Sequence, residues 1–258
     1  MHASFFQLGR LHIPVFGVVA AVGLIAALAL TQRTARYAHL DPEAVWNAGM
    51  TAVVSAFVIS RLLLIVFNLR SFLHYPLLML ALPSLTGTGM LLTGIVVLAY
   101  LRWRRLPRLS VLDAIAPCAL LFWGFVSLGR IAEGTRDGMP SQLPWAVGDS
   151  RLAAVHPVEV YALLVAWLLG AVMLWLQRRD ATRHSVVPGR ICGLALLFAG
   201  LAVFFLDFFR LPSDLLAHAL LDPAQIIGVA MVLTGGVLLR LAASQIQMED
   251  RNETAHAV

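Results

Sequence analysis

Seven long apolar stretches run through the chain and constrain its fold more than any other feature. They lie near residues 13–32, 46–68, 84–101, 111–129, 157–177, 190–209 and 224–244. Because a membrane-spanning helix needs about 20 apolar residues, each stretch is predicted to cross a bilayer. The stretches are continuously apolar, whereas barrel strands alternate apolar and polar residues, so helices are predicted. A shorter apolar run at 74–83 is predicted to be an interfacial or re-entrant segment.

The composition excludes a water-soluble enzyme and a disordered chain. Of the 258 residues, 60% are hydrophobic and only 13% are charged, whereas soluble domains carry about 25% charged residues. Seven crossings occupy about 140 residues, which leaves connections and ends but no second domain. The predicted fold is therefore an all-α integral membrane protein with seven transmembrane helices, built as a single transmembrane domain over residues 1–258.

The arginines predict the orientation in the membrane. All 19 basic residues are arginines; 12 lie at the odd-numbered connections or toward the C-terminal end, 6 lie on the opposite side, and Arg61 lies within a span. The positive-inside rule places the side with more arginines in the cytoplasm. The C-terminus is thus predicted to be cytoplasmic, and the N-terminus and the connection 130–156 to face outward. Because the arginines follow topology, no nucleic-acid partner is predicted.

Charged residues in the apolar stretches are candidates for function, since a charge at the bilayer centre costs at least about 2.5–3.5 kcal/mol. Four such positions stand out: Arg61, Asp113, Glu159 and Asp207. Three basic residues lie at the predicted outer ends of spans four, five and six: Arg130, His156 and Arg210. Because a guanidinium group matches phosphate with two parallel hydrogen bonds, this end of the bundle is predicted to hold an anionic headgroup.

Structural roles for the same charges remain open. Asp207 and Arg210 are spaced to form an ion pair within one helix. Arg61 and Glu159 could each bond to a neighbouring helix. Asp113 lies near the cytoplasmic end of its span, where it is expected to cap a helix or to meet the arginine-rich third connection.

Several motifs follow one another along the chain. They are Arg61-Leu62, His74-Tyr75-Pro76, Gly129-Arg130-Ile131, Leu143-Pro144-Trp145-Ala146-Val147, His156-Pro157-Val158-Glu159-Val160-Tyr161 and Asp207-Phe208-Phe209-Arg210-Leu211-Pro212. In this order they resemble the motifs of the prolipoprotein diacylglyceryl transferase family, and the resemblance runs from about residue 14 to 242.

The resemblance implies a seven-helix enzyme of the bacterial plasma (inner) membrane that uses no cofactor and no metal. The family moves the diacylglyceryl group of phosphatidylglycerol to the lipobox cysteine thiol of a prolipoprotein and releases glycerol 1-phosphate. The implied partners are therefore phosphatidylglycerol, a prolipoprotein lipobox peptide and the membrane itself.

Roles for individual residues follow from the resemblance and from the chemistry of that reaction. Arg130 is expected to hold the phosphate leaving group. His156 is expected to accept the thiol proton, because the thiolate is the nucleophile. Glu159 completes the set of candidate catalytic residues. The candidate substrate-binding residues are Arg61, Asp207, Arg210, Glu133 and Asp137.

The chain departs from the family pattern at polar positions. No histidine lies within residues 84–89, where the family has Ser-Phe-His-Gly-Gly, and Val203 stands where a second arginine is expected. Glu159 replaces the glutamine of the family motif His-Pro-Thr-Gln-Leu-Tyr. The sequence therefore leaves two functions open: a divergent transferase, or a paralogue that binds phospholipid and has lost or changed the transfer. A small transporter or channel is a third class, which predicts polar residues through both leaflets.

Overall fold

The computed structural model describes residues 5–8, 11–68, 87–149, 152–183, 185–211 and 222–256. Within these ranges the chain forms seven helices, each matching one predicted apolar stretch. They are α1 (Val15–Tyr37), α2 (Pro42–Phe67), α3 (Gly87–Trp103), α4 (Arg108–Glu133), α5 (Val158–Thr182), α6 (Arg190–Asp207) and α7 (Pro223–His256). The predicted interfacial segment 74–83 lies outside the described residues.

Six of the described helices are long and apolar enough to cross a membrane: α1, α2, α4, α5, α6 and residues Pro223–Gln245 of α7. The prediction of an integral membrane protein with many spanning helices is thereby confirmed, and six of the seven predicted spans have the required length. Helix α3 is apolar but has only 17 residues. Large apolar side chains on the spanning helices point outward, with Ile25 67% and Leu233 65% exposed, as lipid-facing side chains do.

Two short β-hairpins depart from the all-α prediction. Strands β1 (Phe5–Leu8) and β2 (Leu11–Pro14) form one antiparallel pair, and β3 (Val147–Asp149) and β4 (Leu152–Val155) form the other. The second strand of each hairpin ends at or just before a proline at the start of the next helix. These prolines are Pro14 before α1 and Pro157 before α5. Proline has no N–H to donate to a strand ladder but fits the start of a helix, so it marks the switch from strand to helix.

Helix α4 lies at the centre of the bundle and packs against α1, α5 and α6. Its contacts with α5 and α6 form a buried cluster that includes Leu120, Met173 and Ile191. Helices α6 and α7 approach closely because glycines face each other across them; a Cβ on Gly200 would lie 2.6 Å from the Gly228 carbonyl oxygen. Small residues bring membrane helices into this kind of backbone contact.

A buried carboxylate joins α4 to the start of α6 at one end of the bundle. Asp113 is 3% exposed, and its two oxygens accept hydrogen bonds from the backbone N–H groups of Gly189 (2.6 Å) and Cys192 (2.7 Å). Asp113 therefore caps the start of α6 and not, as the sequence had suggested, its own helix, because its side chain points across the bundle to the backbone at residues 189–192. We call this the capped end. The chain directions then bring the C-terminal ends of α4 and α6 and the start of α5 together at the other end.

Candidate active site

The opposite end of the bundle, which we call the arginine end, carries Arg130, Glu159 and Arg210. Arg130 lies in the last turn of α4, Glu159 in the first turn of α5, and Arg210 just after α6. Helix α4 ends at Gly134, whose φ of 75° is left-handed and is readily adopted by glycine. The chain therefore leaves α4 directly beyond Arg130 and enters the connection that leads to the start of α5.

One carboxylate oxygen binds both arginines. Glu159 Oε1 accepts a hydrogen bond from Arg130 Nη1 at 3.1 Å and from Arg210 Nη2 at 2.8 Å. The Glu159 side chain is 7% exposed, whereas those of Arg130 and Arg210 are 42% and 30% exposed. The buried carboxylate thus binds two guanidinium groups that still reach the surface of the bundle. Hydrogen bonds between charged groups are shorter and stronger than those between neutral groups.

Backbone pairing fixes the position of Arg210 relative to the connection after α4. A single antiparallel bridge pairs Gly138 with Arg210. Its two hydrogen bonds run from the Met139 N–H to the Phe209 carbonyl (2.8 Å) and from the Leu211 N–H to the Asp137 carbonyl (2.9 Å). This bridge therefore places the Arg210 side chain opposite the start of α5.

The same connection holds His156. The His156 N–H donates to the Met139 carbonyl at 3.0 Å. A Cβ added to Gly138 would lie 2.1 Å from the His156 carbonyl oxygen, so this close approach requires glycine. The His156 ring packs against Phe209, with centroids 5.1 Å apart, and against Tyr161 at 6.4 Å. The imidazole is thus packed against two aromatic rings, and His156 precedes Glu159 by three residues in the chain.

Buried polar atoms without a partner collect at this end. Within the described part of the chain, seven buried side-chain nitrogen or oxygen atoms have no hydrogen-bond partner, and four belong here. They are His156 Nδ1, Glu159 Oε2, Asp207 Oδ2 and Arg210 Nε. Native proteins rarely leave such atoms unpaired, and binding sites are a common reason. The site therefore has unused donors and acceptors beside its two ion pairs.

The other predicted site residues occupy different surroundings. Among the described residues, Arg210 forms its ion pair with Glu159, so the predicted pair between Asp207 and Arg210 within one helix is not formed. Glu133 and Asp137 are exposed, and Asp137 contributes its carbonyl to the frame. Arg61 is half-buried on α2. Roles in substrate binding for these residues stay predictions.

Three aromatic residues of the site were not predicted as functional. Tyr161 accepts a hydrogen bond from Trp145 Nε1 at 2.7 Å. Its ring also lies 6.2 Å from that of Phe209. Tyr161 and Trp145 both lie in motifs that carry the family resemblance, which is the signal that could have found them. Phe209 also lies in such a motif, directly before Arg210.

The arrangement suits the binding of an anion next to a proton acceptor. Two guanidinium groups converge on one point, and an imidazole lies on the same backbone frame. Among the described residues, no group of three or more His, Cys, Asp or Glu side chains is placed to hold a metal ion.

Fold and site together define a predominantly helical, multi-pass membrane protein with a paired-arginine site at one end of its bundle. The model of the prolipoprotein diacylglyceryl transferase family matches residues 3–241. Since this match covers most of the chain, the protein belongs to the prolipoprotein diacylglyceryl transferase family.

Individual relatives agree over most of their length. A protein of Methylococcus capsulatus is 29% identical over 250 residues, which cover 91% of this chain and 92% of the relative. A protein of Clostridium tetani is 23% identical over 222 residues, covering 81% and 86%. Both are named phosphatidylglycerol–prolipoprotein diacylglyceryl transferase. The resemblance seen in the motifs is thereby confirmed.

Proposed function

We propose that this protein transfers the diacylglyceryl group of phosphatidylglycerol to the lipobox cysteine of a prolipoprotein. The observation that carries the proposal is the pair of arginines, Arg130 and Arg210, that converge on one buried point at the end of the bundle. Family membership and the names of the relatives support the same reaction.

The arginines would bind the phosphate of the lipid headgroup. A phosphodiester offers anionic oxygens, and guanidinium groups bind these with paired hydrogen bonds. As the reaction proceeds, negative charge accumulates on the departing glycerol phosphate. Arg130 and Arg210 are partly exposed and stand ready to stabilise this charge, which is the main electrostatic demand of the step.

His156 would take the proton of the cysteine thiol. The sulfur then attacks the glycerol carbon of the diacylglyceryl group; a C–S bond forms while the C–O bond to phosphate breaks. The leaving phosphate carries away the electron pair. The unpartnered His156 Nδ1 supports this role, since an imidazole nitrogen is the most common general base in enzymes. Glu159, the third candidate catalytic residue, positions the two arginines through its hydrogen bonds.

The remaining candidates, Arg61, Glu133, Asp137 and Asp207, are proposed to contact substrate. Glu133 is exposed at the end of α4 and Asp137 on the connection that follows, where both would meet the incoming peptide. Arg61 lies toward the end of α2, in an apolar helix where an unneeded charge would be costly.

We further propose one membrane domain with seven spans in the bacterial plasma (inner) membrane, the N-terminus outside and the C-terminus cytoplasmic. Helix α3 would be the seventh span. Its 17 residues rise about 26 Å, a few Å short of a hydrocarbon core of about 30 Å. Local thinning of the bilayer accommodates such a difference at modest cost. The arginine end then faces outward.

The test is reconstitution of the purified protein with phosphatidylglycerol and a lipobox peptide, following glycerol phosphate release. We expect release that requires both the peptide and Arg130. Arg130→Ala should lower the rate at least about 100-fold, as removal of one charge-stabilising donor does. Arg104→Ala, which removes an exposed arginine from another connection, is the matched control and should leave the rate unchanged.

Absence of release with phospholipid still bound would contradict the proposal. That result would favour the paralogue that binds lipid without transferring it. Release unaffected by Arg130→Ala would mean that the phosphate binds elsewhere.

A further inference from the structure

Glu159 occupies the place that an anionic ligand of the arginines would take. Its Oε1 atom receives hydrogen bonds from both Arg130 (3.1 Å) and Arg210 (2.8 Å). A phosphate oxygen that bonds to both arginines where they converge would have to occupy the position of this carboxylate oxygen. Two anions cannot share it, because like charges repel strongly where the solvent is largely excluded.

The arginine pair already has a counter-charge. Glu159 is the ion-pair partner of both Arg130 and Arg210, and the Asp207 carboxylate interacts electrostatically with Arg210. A phosphodiester headgroup adds one negative charge. The carboxylates therefore oppose the ligand unless Glu159 gives up at least one arginine.

We propose that Glu159 is an internal counter-anion that a lipid phosphate must displace, and that it thereby sets the affinity of the site for anionic headgroups. The inference rests on the proposed use of the arginine pair for a phosphate. Displacement leaves Glu159 bonded to one arginine while the phosphate takes the other. The unpartnered Oε2 atom gives the carboxylate a second oxygen with which to rearrange.

Replacing Glu159 by glutamine separates charge from shape. The glutamine carbonyl still accepts hydrogen bonds from the arginines, so the two side chains stay in place. A neutral acceptor binds an arginine less strongly than a carboxylate does, and it competes less with phosphate. We expect Glu159→Gln to tighten phosphatidylglycerol binding by about fivefold to tenfold.

The experiment measures equilibrium binding to the full-length protein in mixed micelles, without peptide. Phosphatidylglycerol is the anionic probe, and phosphatidylcholine is the zwitterionic lipid. Water-soluble glycerol 1-phosphate is the third probe, since the shared chemistry is a phosphate anion and this arm separates headgroup from lipid. Glu43→Gln is the matched control, because it removes an exposed carboxylate from the first turn of α2.

The inference predicts tighter binding of phosphatidylglycerol by Glu159→Gln, a smaller gain for phosphatidylcholine, whose choline cation offsets its phosphate charge, and no change in Glu43→Gln. If glycerol 1-phosphate also binds more tightly, the headgroup phosphate is the competing group; if only the lipid does, displacement also needs the acyl chains in place. Unchanged or weaker phosphatidylglycerol binding would overturn the inference, because it would mean that Glu159 only holds the arginines in position.

A second variant protects the test against a folding defect. Glu159→Asp keeps the charge but shortens the side chain by one methylene, which weakens both hydrogen bonds. It should also tighten phosphatidylglycerol binding, by less than the glutamine variant; weaker binding would again overturn the inference. Because no peptide or transfer is involved, these results stand apart from the proposed activity. If the wild-type protein transfers no diacylglyceryl group but the Glu159→Gln variant binds phosphatidylglycerol more tightly, the proposed activity is refuted and the inference about Glu159 stands.

Discussion

Replacing both arginines that bind Glu159 should lower the free energy of unfolding by much more than the sum of the two single replacements. The changes are Arg130→Gln, Arg210→Gln and the double substitution. In the wild type, one nearly buried carboxylate oxygen accepts from both guanidinium groups. Each single variant leaves the other arginine in place, so Glu159 stays neutralised. Only the double variant leaves the carboxylate without a partner.

The size of the effect follows from the exposure of the three side chains. A hydrogen bond to a charged group contributes about 1.5–3 kcal/mol. Arg130 and Arg210 are partly exposed, so screening reduces each single loss of unfolding free energy to about 1 kcal/mol. An uncompensated buried charge costs about 3–5 kcal/mol. The double variant should therefore lose about 4 kcal/mol, which is about 2 kcal/mol more than the sum.

The assay is a double-mutant cycle on the free energy of unfolding in mixed detergent micelles. The control pairs Arg130→Gln with Arg190→Gln, because Arg190 binds Asp180 at the capped end (3.2 Å); these two losses should add. Adding Glu159→Gln to the double variant should recover about 2 kcal/mol, since it removes the unpaired charge. Additive losses at Arg130 and Arg210, or no recovery, would refute a shared acceptor.

Three further changes probe the frame around the site. Gly138→Ala should lower glycerol phosphate release by about tenfold to 100-fold, because its Cβ would meet the His156 carbonyl at 2.1 Å; an unchanged rate would show that the connection relaxes freely. Asp113→Ala should lower the free energy of unfolding by about 3–5 kcal/mol, since two buried N–H groups lose their acceptor, while phosphatidylglycerol binding at the far end stays the same. Gly200→Leu should lower the free energy of unfolding by at least about 1–3 kcal/mol, because the new side chain forces α6 away from α7. Thermal unfolding measures this loss, and no loss would mean that α7 moves aside at Gly228.

The membrane-crossing helices could be predicted from the sequence because their signal is local. A bilayer demands a continuous apolar run of known length, and hydropathy reports it directly. The boundaries were less certain where polar residues continue a helix. Helix α7 extends to His256, beyond the predicted end at residue 244, since residues outside the lipid can be helical without being apolar. The hairpins escaped prediction because strands of three or four residues leave little pattern.

The location of the candidate site was also predictable. Successive spans alternate in direction, so the end of span four, the start of span five and the end of span six must meet at one side. Arg130, His156, Glu159 and Arg210 could therefore be assigned to one end from their positions along the chain alone. Glu159 was also recognisable as unusual, because a charge within an apolar span is costly.

Tertiary structure alone decided which charges pair. By spacing, Asp207 was the natural partner of Arg210, yet Arg210 binds Glu159 on another helix. That choice depends on the direction in which each side chain leaves its helix and on the backbone bridge between Gly138 and Arg210. Hydropathy and spacing describe one segment at a time, whereas a pair between segments depends on their rotation and approach. The sequence determined the helices and the end at which the charges gather; packing determined that one carboxylate holds both arginines.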